Sequence, residues 1–187
     1  MLNGHELPQK FKTALSRSWD EAAIWPGCKD GYIPGESHPS YGQCLVGTLA
    51  TLSYCRQNYD TQFSLAAGEA IYPNGDSVWH FQLTHLMPNP QHRLTAVPID
   101  VTWDQFPEGT TFQEASDWGN NANRDKLAEI LIGSFWGDDT LVDRTQVIVN
   151  NLRDNGISIR QTGKEIVVGQ RNELLRRYNF LSPRMSA

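Results

Sequence analysis

A chain of 187 residues with 39% hydrophobic and 20% charged residues has the composition of one globular domain with a substantial apolar core. Its net charge of −5 argues against general binding to nucleic acid or to an anionic membrane surface, because both attract a positive excess. No run approaches the ~18 apolar residues of a membrane span. The first residues also lack the basic and apolar regions of a signal peptide, which predicts a cytoplasmic protein.

The first third of the chain predicts a helix, a loop and a second helix. Residues 8–22 repeat an apolar side chain at every fourth position from Phe11, which indicates a helix with one buried face. Residues 25–42 contain seven glycines and prolines and predict a loop. Residues 43–56 are apolar on most of their surface, which predicts a buried helix.

A small antiparallel sheet is predicted to follow. Residues 62–72 fit either a strand or a helix, and Asn74-Gly75 is a strong signal for a tight hairpin turn. Residues 77–87 alternate as a strand does. Residues 93–102 are a further strand candidate, whose internal proline restricts it to a sheet edge or a bulge.

The last third of the chain predicts mainly helices. Residues 123–154 indicate two helices, residues 157–168 a hairpin that turns near Gly163, and residues 172–181 a short final helix. Helices and strands in this order are typical of the α+β class, with the second helix packed on the sheet.

Cys44 is the residue that most suggests chemistry, because it lies where the loop ends and the buried helix begins. Backbone N–H groups and the helix dipole stabilise an anion at a helix start, so the position suits a thiolate nucleophile. A cysteine in an apolar helix is more often a small core residue, and that alternative stays open. Cys28 lies in the loop and Cys55 inside the helix, and three cysteines at no zinc-like spacing predict free thiols.

A catalytic thiol also needs a base and a group that orients the base. His80 on the second strand is the candidate base, and Trp79 beside it is a candidate substrate-binding residue. Asp100 is the candidate orienting carboxylate, because neighbouring antiparallel strands can place a histidine and a carboxylate side by side. Asp104 is the alternative carboxylate. Gln43, next to the thiol, could donate a hydrogen bond to an oxyanion.

The sequence gives less support to a metal or cofactor site and to a DNA-binding surface. The other histidines lack the spacing of metal ligands and the chain has no nucleotide-binding motif, so no metal or cofactor is expected. Residues 123–168 have the outline of a winged helix, with two helices and a hairpin. The second helix, however, carries two arginines that two aspartates offset, which argues against DNA binding.

Five segments together resemble the YunG-like proteins of bacteria. In chain order these segments are FKTALSRSW, PSYGQCLVGTLATLSY, VWHFQL, IDVTWDQF and NELLRRYNFLSPR. The resemblance implies a papain-like or NlpC-like cysteine-hydrolase fold in which Cys44, His80 and Asp100 are the triad. It implies no particular substrate. Residues 110–168 look like an insertion or subdomain that this family lacks.

The sequence therefore predicts one α+β domain over residues 1–187, with a papain-like or NlpC-like core and an inserted helical and hairpin segment at 110–168. The favoured function is thiol-dependent hydrolysis or acyl transfer at an amide, ester or thioester bond. Its substrate would be a small molecule, a peptide or a protein, with no membrane partner. The alternative is a non-catalytic binding or regulatory module of the same fold that engages a protein partner through residues 110–168.

Overall fold

The computed structural model describes residues 7–59, 62–88, 94–115 and 134–177. The helices are α1 (Gln9–Ser16), α2 (Cys44–Asn58), α3 (Leu141–Asp154) and α4 (Gly163–Arg177). The strands are β1 (Gln62–Ile71), β2 (Ser77–Pro88), β3 (Leu94–Ile99) and β4 (Thr111–Glu114). This combination confirms the predicted α+β class. Within these four ranges, no helix combines the length and the hydropathy that a bilayer crossing requires.

The strands form one antiparallel sheet in the order β3-β2-β1-β4. The predicted turn at Asn74-Gly75 joins β1 to β2, and the Gly75 N–H donates to the Tyr72 carbonyl at 2.9 Å. β1 is a strand because it pairs on both sides, with β2 and with β4, which its many small buried residues allow. β3 lies at the sheet edge, as its Pro98 predicts.

Helix α2 packs on β1 and β2 and is buried over most of its surface. Gly47, one turn into the helix, leaves room for the Trp19 indole, because a Cβ at position 47 would lie 2.7 Å from that ring. The Thr48 hydroxyl donates to the Phe81 carbonyl of β2 at 3.1 Å. These two contacts fix the first turn of α2, and with it Cys44, relative to the strand that carries His80.

Helices α3 and α4 pack on each other and on α2. The hairpin predicted over residues 157–168 is wrong, because α4 starts at Gly163. The Thr162 hydroxyl accepts from the Glu165 N–H at 3.3 Å, and the Glu165 carboxylate accepts from the Thr162 N–H at 2.7 Å. This reciprocal capping box starts a helix, so the Thr-x-x-Glu pattern was the signal that the hairpin interpretation overlooked.

Other predictions for the last third have mixed outcomes. The second helix predicted within residues 123–154 is α3, whereas residues 116–133, which hold most of the first, lie outside the described residues. The final helix predicted at 172–181 is the end of α4 as far as Arg177. Because a helix replaces the hairpin, the winged-helix outline is contradicted as well.

Candidate active site

Cys44 is the first residue of α2 and is half-buried. The preceding Gly42 has a positive φ of 66°, and a Cβ there would lie 2.8 Å from the Cβ of Cys28, so the loop needs a glycine at this point. The Trp25 N–H donates to the Gly42 carbonyl at 2.9 Å. The loop of residues 25–42 is thus folded back against the start of α2, and it holds the thiol at the helix end.

Gln43 is 1% exposed, and its amide is engaged by the backbone around it. Its Nε2 donates to the Pro39 carbonyl at 2.8 Å, and its Oε1 accepts from the Asp20 N–H at 3.2 Å. The side chain therefore braces the loop that precedes Cys44. Its predicted role as a donor to an oxyanion stays a prediction.

His80 is fully buried, and its Nε2 is hydrogen-bonded to the Asp100 carboxylate. Asp100 follows the last residue of β3, so it lies just beyond the strand on which it was expected. Its second oxygen accepts from the Thr102 N–H at 2.9 Å and from the Thr102 hydroxyl at 3.2 Å. Both oxygens are thus committed, which fixes the carboxylate against the imidazole.

Three aromatic rings surround the His80 imidazole edge-on. The centroids of Trp103, Phe106 and Phe112 lie 5.7, 4.8 and 6.0 Å from that of the His80 ring. These contacts leave the ring little freedom to rotate, and they shield the fully buried imidazole from water. A hydrogen bond in such an apolar setting is stronger than the same bond in water.

With Nε2 held by Asp100, Nδ1 is the nitrogen available to Cys44, and among the described residues it has no hydrogen-bond partner of standard geometry. Cys44 nevertheless changes the pKa of the imidazole. Burial lowers the pKa of His80, but hydrogen bonding to Asp100 and Cys44 and the charges of both outweigh burial and raise the pKa to about 9. A nucleophile and base that are close but loosely bonded are common in a site without substrate.

A cavity of about 440 Å³ opens beside Cys44 and His80, and Trp79 lies on its wall. Cys28 lines the same cavity, although its sequence position gave no reason to expect a partner. Burial and the nearby Cys44 raise the pKa of the Cys28 thiol, and Arg144 offsets them only in part. These effects place three ionisable side chains, two thiols and a guanidinium, close together on this wall.

The remaining candidates lie elsewhere. Cys55 is fully buried and its pKa is raised to about 12 by burial, as expected of a core residue. Asp104 is exposed, and its carboxylate lies 3.5 Å from Nε2 of His38, so Asp100 is the carboxylate at His80. Within the described residues, no group of three or more His, Cys, Asp or Glu side chains is arranged to hold a metal ion.

Sequence reasoning missed the residues that support the site rather than react in it. Thr102 follows Asp100 by two, and such a spacing is a common signal of a short turn in which the carboxylate bonds the backbone. Phe135 and Arg144 reach the cavity from the last third of the chain. No local pattern announces either one, because long-range packing brings them there: α3 packs against residues Glu21–Ala23, and Phe135 packs against Trp25.

Comparison of the chain with protein-family models, with curated proteins and with solved structures finds no match. The resemblance to the YunG-like family therefore stays a prediction, and so does the papain-like form of the core. The site has to be interpreted from its own geometry.

Proposed function

We propose that this protein is a cysteine hydrolase or acyltransferase that acts on an amide, ester or thioester bond. The observation that carries the proposal is the position of His80, which bonds Asp100 through one ring nitrogen and leaves the other to Cys44 at a helix start. A nucleophile, a base and an orienting carboxylate in this order are the parts that covalent acyl transfer requires. The cavity beside them offers a place for the substrate.

Each side chain has one task in the proposed reaction. Nδ1 of His80 first takes the thiol proton, which gives the imidazolium that the raised pKa of His80 favours. The Cys44 sulfur then forms a bond to the substrate carbonyl carbon, and the carbonyl π bond opens to an oxyanion. The same nitrogen then gives this proton to the leaving amine, alcohol or thiol as its bond to carbon breaks. A water molecule, or an acceptor in a transferase, next attacks the thioester carbon while Nδ1 of His80 takes its proton. The carbon–sulfur bond then breaks, the acid or acylated acceptor leaves, and His80 returns the proton to the Cys44 sulfur.

Two further features support these steps. Asp100 keeps the proton of neutral His80 on Nε2, so that Nδ1 can accept, and it stabilises the imidazolium that forms. The backbone N–H of Cys44 is one of the first in α2, and such groups have no acceptor within the helix. It is therefore the candidate donor to the developing oxyanion.

The test is the selectivity of alkylation. Iodoacetamide at pH 6 should label Cys44 much faster than Cys28 or Cys55, because only Cys44 has His80 to take its proton. An ordinary thiol with a pKa of ~8.5 is almost fully protonated at that pH and reacts slowly. Peptide mass spectrometry resolves the three sites. His80→Gln should slow the labelling of Cys44 while far-UV circular dichroism stays unchanged.

Cys28→Ser is the matched control, because it removes the other thiol of the cavity without touching the triad. It should leave the rate at Cys44 unaltered. Slow and equal labelling of the three cysteines would exclude the proposed acyl transfer and favour a non-catalytic module. A labelling rate at Cys44 that is unchanged in His80→Gln would have the same meaning.

A further inference from the structure

Six aromatic residues lie on the wall of the cavity beside Cys44 and His80. Five half-buried aromatic residues line it, namely Trp25, Tyr41, Tyr72, Trp79 and Phe106. Phe135, which is 5% exposed, joins this wall, with its ring centroid 5.2 Å from that of Trp25 and 6.4 Å from that of Trp79. Such rings offer a large, rigid apolar surface that suits flat or bulky apolar groups.

The charges on this wall are already matched by the protein itself. Arg144 is the only lysine or arginine among the described lining residues, and its side chain is 5% exposed. Its Nε donates to the Thr140 hydroxyl at 3.0 Å, one terminal nitrogen donates to the Ala23 carbonyl at 3.5 Å, and the other pairs with Asp138. Each guanidinium nitrogen thus donates within the protein. The charge of Arg144 is paired with Asp138 and that of His80 with Asp100, rather than left for a substrate carboxylate.

We propose that the substrate is neutral and carries an aromatic or bulky apolar group beside the reacting carbonyl. This inference rests on the proposed function, because it names the substrate class of the same thiol. The volume of about 440 Å³ lies within the range of ~300–1,000 Å³ typical of small-molecule sites. It can hold one such group next to Cys44.

Three matched alkylating agents test the substrate class. Chloroacetamide is the small neutral probe, N-benzylchloroacetamide the aromatic one and N-chloroacetylglycine the anionic one. In each reaction the Cys44 sulfur forms a bond to the methylene carbon and chloride leaves. After correction for the reactivity of each agent with glutathione, the benzyl reagent should label Cys44 at least tenfold faster than either of the others.

The two proposals fail in different ways. If chloroacetamide does not label Cys44 in preference to Cys28 and Cys55, the proposed function is wrong, and the proposed substrate class is then wrong as well. If chloroacetamide selects Cys44 but the benzyl group gives no gain, or the anionic reagent is fastest, only the substrate class is overturned.

A substitution on the wall provides a second measurement. Trp79→Leu should reduce the ratio of the benzyl rate to the chloroacetamide rate by fivefold or more, because it removes one ring from the cavity. Trp136→Leu makes the same change in a half-buried tryptophan that does not line the cavity, and the ratio should be kept. A ratio that is unchanged in Trp79→Leu would contradict the aromatic site.

Discussion

Replacing Asp100 by asparagine tests the bond that orients His80, because the amide has the size of the carboxylate but only one acceptor oxygen. If that oxygen keeps the bonds to Thr102, the NH₂ group faces Nε2 of His80. The imidazole must then carry its proton on Nδ1, where it cannot accept one from Cys44. If the oxygen turns to His80 instead, the NH₂ group meets the buried Thr102 N–H, and a donor loses its partner.

The cost of that lost partner sets the lower limit of the effect. A buried donor without an acceptor costs ~1–3 kcal/mol, which disfavours the productive orientation by ~5- to 150-fold. The upper limit of the rate loss is reached if the variant loses the whole effect of the triad and reacts as an ordinary thiol. Such a thiol, with a pKa of ~8.5, is only ~0.3% thiolate at pH 6, which corresponds to a loss of ~300-fold. Asp100→Asn should therefore slow the alkylation of Cys44 at pH 6 by a factor between ~5 and ~300.

Rates of iodoacetamide labelling, followed by peptide mass spectrometry, measure this effect directly. Asp104→Asn is the matched control, because it makes the same change in an exposed carboxylate four residues away that pairs with His38. It should react as the unaltered protein does. The orienting role of Asp100 is refuted if folded Asp100→Asn reacts at the normal rate, or if Asp104→Asn is slowed as much.

Three more predictions follow from single contacts. Because the pKa of His80 is raised to about 9, an NMR titration should show that the imidazolium persists to about pH 9, and ester hydrolysis should fall above that pH. Cys44→Ala should lower the pKa of His80, because Cys44 is one of the groups that raise it. Gly68→Ala should destabilise by ~1–3 kcal/mol in urea unfolding, because its Cβ would clash with the Gln113 backbone carbonyl of β4. Gly169→Ala, in open space on α4, should instead stabilise by ~0.5–1 kcal/mol. Thr162→Ala should cost ~1 kcal/mol by removing the cap of α4, and a loss below ~0.3 kcal/mol (about a third of a typical cap) would contradict it.

Much of the fold follows from local patterns in the sequence. Apolar spacing and the Gly42-Gln43-Cys44 junction located the start of α2, and alternation together with Asn74-Gly75 located the β1–β2 hairpin. The error at Gly163 arose because a glycine between two apolar runs fits both a hairpin turn and a capped helix start. Propensity alone does not separate the two, whereas the Thr162 capping box does.

The sequence by itself determined which residues could react, because a cysteine at a helix start, a histidine on a strand and a carboxylate near the next strand are all defined locally. Only the tertiary structure decided which of them meet. It selected Asp100 over Asp104, brought Cys28 and Arg144 to the cavity, and turned Gln43 towards the loop. The physical reason is that a hydrogen bond depends on distance and direction across the fold, which are set by the packing of α2 and the loops against the sheet and not by spacing along the chain.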